Sequence, residues 1–219
     1  MKVAVYTTIF GDYAPLRKVP KQSVQADFFC ITDNPKIENP GNWQIVCPGF
    51  PRKDLHPRLR AKFFKVFPWQ AEEMDVYDVT IYIDGSVQIH SPDFVKYCLD
   101  NLKNEILLFR HPERTNIREE AQASMELDKY QHEDIPLQMN TYNDLLGDIE
   151  GLYACGIIIR KYSLKILNLM SCWWDDIIKY TYQDQLSFPV VCLMCNVIPD
   201  VFPDSQYHNP YFKIQWNAK

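Results

Sequence analysis

No stretch of this 219-residue chain stays apolar for the ~20 residues that a bilayer-spanning helix needs, so no membrane span is expected. A basic excess is missing as well. The formal net charge is -5, whereas nucleic-acid binders usually carry a surplus of Lys and Arg, so nucleic acid is not an expected partner. Neither G-x-G-x-x-G nor a P-loop occurs, which argues against a dinucleotide dehydrogenase or a P-loop kinase. H-E-x-x-H, G-x-S-x-G and the D-x-[DN]-x-[DN]-G calcium loop are absent, and a covalent Ser or Cys hydrolase has no local support. No repeat, low-complexity stretch or linker divides the chain, so one domain over residues 1–219 is expected. The N-terminal MKVAVYTTIFGDY lacks a small-residue cleavage site and reads as a first strand rather than a signal peptide. The seven cysteines are odd in number and scattered, the pattern of reduced thiols in a cytoplasmic protein rather than of a disulfide framework. Cys192-x-x-Cys195 has no second pair and fits one face of a helix.

What is present is a rhythm of strands and helices. Strands are expected at 2–9, 27–32, 43–46, 79–84, 87–89, 106–109 and 156–160, from β-branched and aromatic runs ended by Gly, Asp, Asn or Pro. Helices are expected at 57–67, 91–102, 116–131, 134–146, 163–180 and 184–195, the third and fourth polar and hence exposed. The tail from Asn196 reads as loop. Alternation through the first half implies an α/β sandwich around a largely parallel sheet. Aromatic residues make up 14% of the chain, enough to serve both as core and as flat surfaces for sugars or bases. Trp173 and Trp174 are read as core and groove wall rather than as an acceptor platform.

Open α/β sheets bind ligands at the carboxyl ends of their strands. There the sequence offers Tyr6, Thr7 and Thr8, then Thr32 and Asp33, then Asp84 and Ser86, then Arg110, His111 and Arg114. Asp84 suits an oxygen-liganded divalent cation that keeps waters and binds substrate phosphates. A turn Asp before Gly85 is the plain alternative. Downstream, His208 offers an imidazole for a metal shell and Lys213 a cation for a leaving diphosphate, with solvent exposure as the plain alternative. Asp184 opens a helical pattern and reads either as its N-cap or as a general base.

The order and spacing of KVAVYTTIFGDY, DFFCITDNP, RAKFFK, YIDGS, FRHPER, GLYACGIIIR, the Trp pair and DQLSF resemble one family over residues 2 to about 190. It is a glycosyltransferase-like family with plant and microbial members, formerly a domain of unknown function. Size and style are also similar to small glycosyltransferase domains of chlorella viruses, for which the compartment would be the host cytoplasm. The resemblance implies a GT-A (Rossmann-like) sandwich, a central mostly parallel β-sheet flanked by helices. It implies a metal-dependent transfer of a hexose or deoxyhexose from a UDP-sugar to a glycan acceptor; the oligomeric state stays open, with a monomer among the options. Asp84 resembles the start of the Asp-x-Asp motif that holds Mn²⁺ (or Mg²⁺) against the donor's diphosphate, with Gly85 between it and Ser86. Ser86 stands where a second acid is usual.

By the same resemblance Tyr6, Thr7 and Thr8 border the nucleoside, Asp33 lies near base or ribose, and Arg60 and Lys62 face donor phosphates or sugar. Tyr153, Ala154, Cys155 and Gly156 form a turn lining the sugar pocket, and His111 and Arg114 contact donor sugar or acceptor. Asp184 and Gln185 resemble the acidic site beneath the anomeric carbon. His208 and Lys213 resemble the late metal-binding His and diphosphate-binding Lys of family 8 enzymes. Two rival readings stay open: a catalytically inactive glycan- or nucleotide-sugar-binding module, and a nucleotidyltransferase, although TTIFGDYAPLRK has a single Gly where the latter is Gly-rich.

Overall fold

The computed structural model describes residues 1–49, 54–71, 74–146, 149 and 151–215. Its centre is a seven-stranded sheet in the order β3-β2-β1-β4-β7-β6-β8. The strands are β1 (Val3–Ile9), β2 (Asp27–Thr32), β3 (Gln44–Val46), β4 (Val79–Ile83), β6 (Ile106–Arg110), β7 (Tyr153–Lys161) and β8 (Asp200–Val201). All neighbours pair in parallel except β7, which runs antiparallel to both β4 and β6. The carboxyl ends of β1, β4 and β6 therefore share one sheet edge with the start of β7. A separate ribbon pairs β5 (Val87–Ile89) with β9 (Phe212–Ile214).

Both faces of the sheet are covered, which is why VAVYTTI and VTIYI read as near-continuous buried runs. Side chains of a strand alternate between faces. Ala4 and Tyr6 join one core with Phe64 of α1 (Pro57–Val66) and Leu169 and Trp173 of α5 (Leu164–Lys179). Val3, Val5 and Ile9 join the other with Phe94 and Cys98 of α2 (Phe94–Asn101) and with Phe212. Each such fully buried side chain contributes roughly 1.5–3 kcal/mol of transfer free energy. Helix starts follow local chemistry: Pro57 sits in the first turn of α1, and Ser163 accepts from the Ile166 amide to open α5.

Four expectations are corrected. The strand expected at 156–160 begins at Tyr153, because Tyr153 and Ala154 pair with Arg110 and Phe109 past a bulge in β6. GLYACG is thus mostly strand, not turn. The helix expected over 116–131 divides into α3 (Ile117–Met125) and a 3-10 turn (Asp128–Tyr130), because Leu127 is extended at φ -96°, ψ 127°. Neither α3 nor α4 (Ile135–Leu146) is simply exposed. Ile117, Ala121, Tyr130, Ile135, Met139 and Tyr142 pack with Leu186 and Val190 of α6 (Asp184–Met194) into a third core. Their windows look polar because the buried stripe includes Glu120, Ser124 and Gln138, which are covered and hydrogen-bonded. The tail is not all loop either, since it supplies β8 and β9. Among the described residues no helix is long and apolar enough to cross a membrane.

Trp173 tests this packing. It is fully buried, its ring lies 4.8 Å from that of Phe188, and its indole N–H donates to the Asp184 carbonyl at 3.1 Å. Trp173→Ala is expected to lower unfolding free energy by about 3–5 kcal/mol in urea titration, and a loss under about 1 kcal/mol would show that the ring is not a core element.

Candidate active site

A pocket of about 400 Å³ opens at the carboxyl edge of β1 and β4, lined by Thr8, Tyr13, Arg58, Ala61, Lys62, Tyr82, Asp84, Ser86, Lys129, Tyr130 and Tyr182. Thr8 and Tyr82 reach it from adjacent strands, with their hydroxyls 3.4 Å apart. The Tyr82 hydroxyl donates to Asp84 Oδ1 at 2.5 Å. Burial first, and then the Asp84 charge, push the Tyr82 and Tyr13 phenols up, so both stay protonated donors. Tyr13 donates to the Thr8 carbonyl at 3.0 Å and accepts from the Gly85 amide at 3.3 Å, tying the loop after β1 to the turn after β4. That closeness requires glycine: a Cβ on Gly85 would stand 2.8 Å from the Ala14 Cβ. Gly156 has a similar role on the other side. Its carbonyl accepts from the Asp84 amide at 2.8 Å, and a Cβ there would come within 3.3 Å of Asp84 Oδ2.

Beneath the pocket lies a buried ion set. Asp184 Oδ2 receives Lys62 Nζ at 2.5 Å and Lys65 Nζ at 2.6 Å, and Lys65 Nζ also lies 3.9 Å from Asp84 Oδ1. Arg58, Lys62 and Lys65 recur at helical spacing along one side of α1, which brings them to the same place. Burial alone would favour neutral Asp184, but the two ammoniums outweigh it and hold the carboxyl down at about 2. For Lys65, burial opposes the charge, and Asp184 and Asp84 overcome it, so its ammonium is held above the ordinary value. Lys62 goes the other way: burial, with Lys65 beside it, presses it below the usual lysine value against the pull of Asp184.

The structure gathers Thr8, Lys62, Asp84 and Ser86 of the expected residues around the pocket. Others lie elsewhere. Tyr6 is wholly buried, donating to the Lys65 carbonyl and accepting from Arg160, one pleat below Thr8 and inside the core. Thr7 points to the opposite sheet face, into a narrow crevice with Arg17 and Trp43. Asp33 and Arg60 pair with each other at 3.2 Å, and Asp33 also accepts from the Gly11 amide; neither lines the pocket. Gly85 packs under the Tyr13 loop. Tyr153, Ala154 and Cys155 are strand residues, and of the expected turn Gly156 alone abuts Asp84.

Asp184 is not the α6 cap, which is Gln183. A carboxylate occupied by two ammoniums and held near 2 is also a weak proton acceptor at neutral pH, so the general-base reading does not fit its surroundings. Gln185 donates to Glu120 at 2.9 Å and accepts from the Cys155 amide at 3.4 Å. His208 is exposed at φ 58°, and Lys213 is exposed in β9 opposite Gln88. Among the described residues neither has a hydrogen bond or ion pair with Asp84; His208 lies before β9 and Lys213 within it.

His111 and Arg114 belong to a second cavity of about 450 Å³, shared with Arg110, Thr115, Asn116, Gly151 and Leu152. Buried Glu120 backs it, accepting from Arg114 at 2.5 Å and from Gln183 at 2.6 Å. Burial, and Arg114 beside it, press His111 below the ordinary histidine value, against the pull of the Glu120 carboxylate toward the protonated ring.

A divalent cation would find at Asp84 one carboxylate oxygen, Oδ2, with no hydrogen-bond partner among the described residues, and Ser86 on the same pocket wall. That sparse oxygen set suits a cation that completes its shell with waters and substrate phosphates. Among the described residues no three His, Cys, Asp or Glu side chains cluster as a ready-made metal cage.

A family model for the TOD1/MUCI70 glycosyltransferase-like domain matches residues 74–213, nearly two thirds of the chain. The chain belongs to this family. Among curated proteins nothing matches. The TOD1/MUCI70 match starts before β4 and ends in β9, so it contains Asp84, Ser86, Lys129, Tyr130 and Tyr182, while β1 and α1 precede it. Membership, with the mixed seven-stranded sheet, supports a GT-A-like fold and a glycosyltransferase function in general, with a sugar donor and an acceptor as partners. Missed by the sequence reading were Arg58, Lys65, Lys129 and three of the four pocket tyrosines, Tyr13, Tyr130 and Tyr182; the basic stripe of α1 was the one visible signal.

The ion set makes Asp184 a stability determinant. Asp184→Asn removes the carboxylate that holds Lys62 and Lys65 and is expected to cost about 3–5 kcal/mol in chemical denaturation. Because its folded pKa lies below the ordinary 3.8, this contribution is complete above 3.8 and is lost as pH falls toward about 2. The stability gap between wild type and Asp184→Asn should therefore narrow across that window, by about 2–3 kcal/mol, and a pH-independent gap would contradict the pairing.

Proposed function

We propose that the chain transfers a hexose or deoxyhexose from a UDP-sugar to a glycan acceptor, with the donor in the Asp84 pocket and a divalent cation, Mn²⁺ or Mg²⁺, assisting. The observation that carries the reading is the pocket itself: a carboxylate with an open oxygen, a hydroxyl, a lysine and tyrosine walls at the carboxyl edge of the sheet, in a chain of a glycosyltransferase-like family. The size is within the range of small-molecule sites. Tyrosine faces suit a base or a sugar ring, and their hydroxyls remain donors.

Chemically, the step is displacement of a nucleoside diphosphate, with negative charge growing on its bridging oxygen. When bound, a cation held by Asp84 and Ser86 would supply Lewis-acid stabilisation of that charge. Lys62 supplies a fixed positive charge at the same wall, and Asp184 with Lys65 keeps that lysine oriented. Tyr82 holds Asp84 by its short hydrogen bond. The second cavity, with Arg110, His111 and Arg114, lies on the same sheet edge, over β6 and β7, and we assign the acceptor there.

Thermal unfolding tests the reading. UDP with Mn²⁺ at about a hundred times Kd should add about 2.7 kcal/mol, a rise of roughly 5–10 °C for a chain of this size. GDP and CMP should do little, and Asp84→Asn should remove the Mn²⁺-dependent part. Absence of a shift with every nucleotide and divalent metal would sink the reading. Slow UDP-sugar hydrolysis, lost in Asp84→Asn, would separate the enzyme from an inactive binding module.

A further inference from the structure

The charges around the pocket do not cancel. Lys62 and Lys65 are matched by Asp184 and Asp84, so the floor is neutral. Two cations at the mouth are left over. Arg58 stands in the first turn of α1, and Lys129 in the 3-10 turn after α3. Both line the pocket, both are exposed, and neither forms an ion pair among the described residues. Their nearest partners are neutral. Arg58 donates to the Tyr182 hydroxyl at 2.7 Å, and the same hydroxyl donates to the Lys129 carbonyl. The Arg58 guanidinium lies 5.5 Å from the Tyr182 ring centre, and the Lys129 ammonium lies 4.6 Å from that of Tyr130.

Tyr182 thus joins two segments far apart in sequence and sets like charges at one opening. The protein packed around the exposed Lys129 side chain, and then the Arg58 charge, press its ammonium below the ordinary value. Such a pair is unfavourable when empty and favourable around a multiply charged anion, whose bound charge relieves the repulsion. Arginine and lysine together also match phosphate chemistry: a planar fork for two oxygens and a point charge for a third.

We propose that Arg58 and Lys129 form a cation clamp, spaced by Tyr182, that receives the diphosphate of the donor. The inference rests on the nucleotide-sugar reading and extends it by naming residues outside the Asp84 wall that select a diphosphate over a monophosphate. Lys62 faces the same space, held in place by Asp184 beneath it.

The test is calorimetric titration of the full chain with UDP and with UMP, both in the presence of Mn²⁺. Wild type should bind UDP at least about tenfold more tightly than UMP, as expected for one or two charge-assisted hydrogen bonds. In Arg58→Met/Lys129→Met that ratio should collapse to about threefold or less, mainly through weaker UDP binding, with the melting temperature of the free protein little changed because both side chains are exposed. Lys129→Arg should keep most of the preference. A double variant that folds and retains the wild-type UDP/UMP ratio would overturn the clamp while leaving the donor reading intact. Wild type that binds neither nucleotide would overturn the donor reading, and the clamp with it.

Discussion

The carboxylate of Asp184 is the ion on which the site depends. It is buried, and one of its oxygens holds the ammoniums of both Lys62 and Lys65. Removing such charges from water costs several kcal/mol per ion, so the set persists only because every charge has a partner in reach. Lys65 completes it by extending toward Asp84. The consequence is mechanical as well as electrostatic. α1, the start of α6 and the end of β4 are fixed to one another by short polar contacts, and Trp173 adds a hydrogen bond to the Asp184 carbonyl from α5. A site that must meet growing negative charge benefits when its cations are already aimed, because no reorganisation is then needed at the moment of reaction.

The sheet was legible in the sequence because its strands are buried on both faces and so appear as unbroken apolar runs. Every expected strand exists, with its edges shifted by a few residues. The antiparallel entry of β7 was not legible, since GLYACG carries two glycines and an apolar stretch that reads equally as turn or strand; pairing with β6 decided it. Among site residues, Thr8, Asp84 and Ser86 were visible as strand ends. Tyr6 and Thr7 were misplaced by one pleat and one face, which is the smallest error that strand periodicity permits and the most consequential, because adjacent residues point opposite ways. His208 and Lys213 were offered both by residue chemistry and by resemblance; in the structure Lys213 lies in β9 opposite Gln88, and His208 lies before that strand. Lys129, Tyr130 and Tyr182 were invisible because each comes to the pocket through helix packing with no short-range signature.

That packing explains why the polar segment between β6 and β7 belongs to the site rather than to the surface. Its third core with α6 carries Tyr130 on one side and Glu120 on the other. Tyr130 walls the Asp84 pocket, whereas Glu120 braces the second cavity through Arg114 and reaches back through Gln185 to the Cys155 amide. Cys155 precedes Gly156, whose carbonyl holds the Asp84 amide. A continuous line of hydrogen bonds and one strand therefore runs from the arginine cavity to the carboxylate. Transfer between two bound molecules needs their reacting atoms held near contact distance, and misplacement by about 1 Å can cost a hundredfold in rate. The buried Glu120 carboxylate, costly in isolation, is retained where it fixes the spacing of the two pockets, and the polar sequence of α3 follows from that placement.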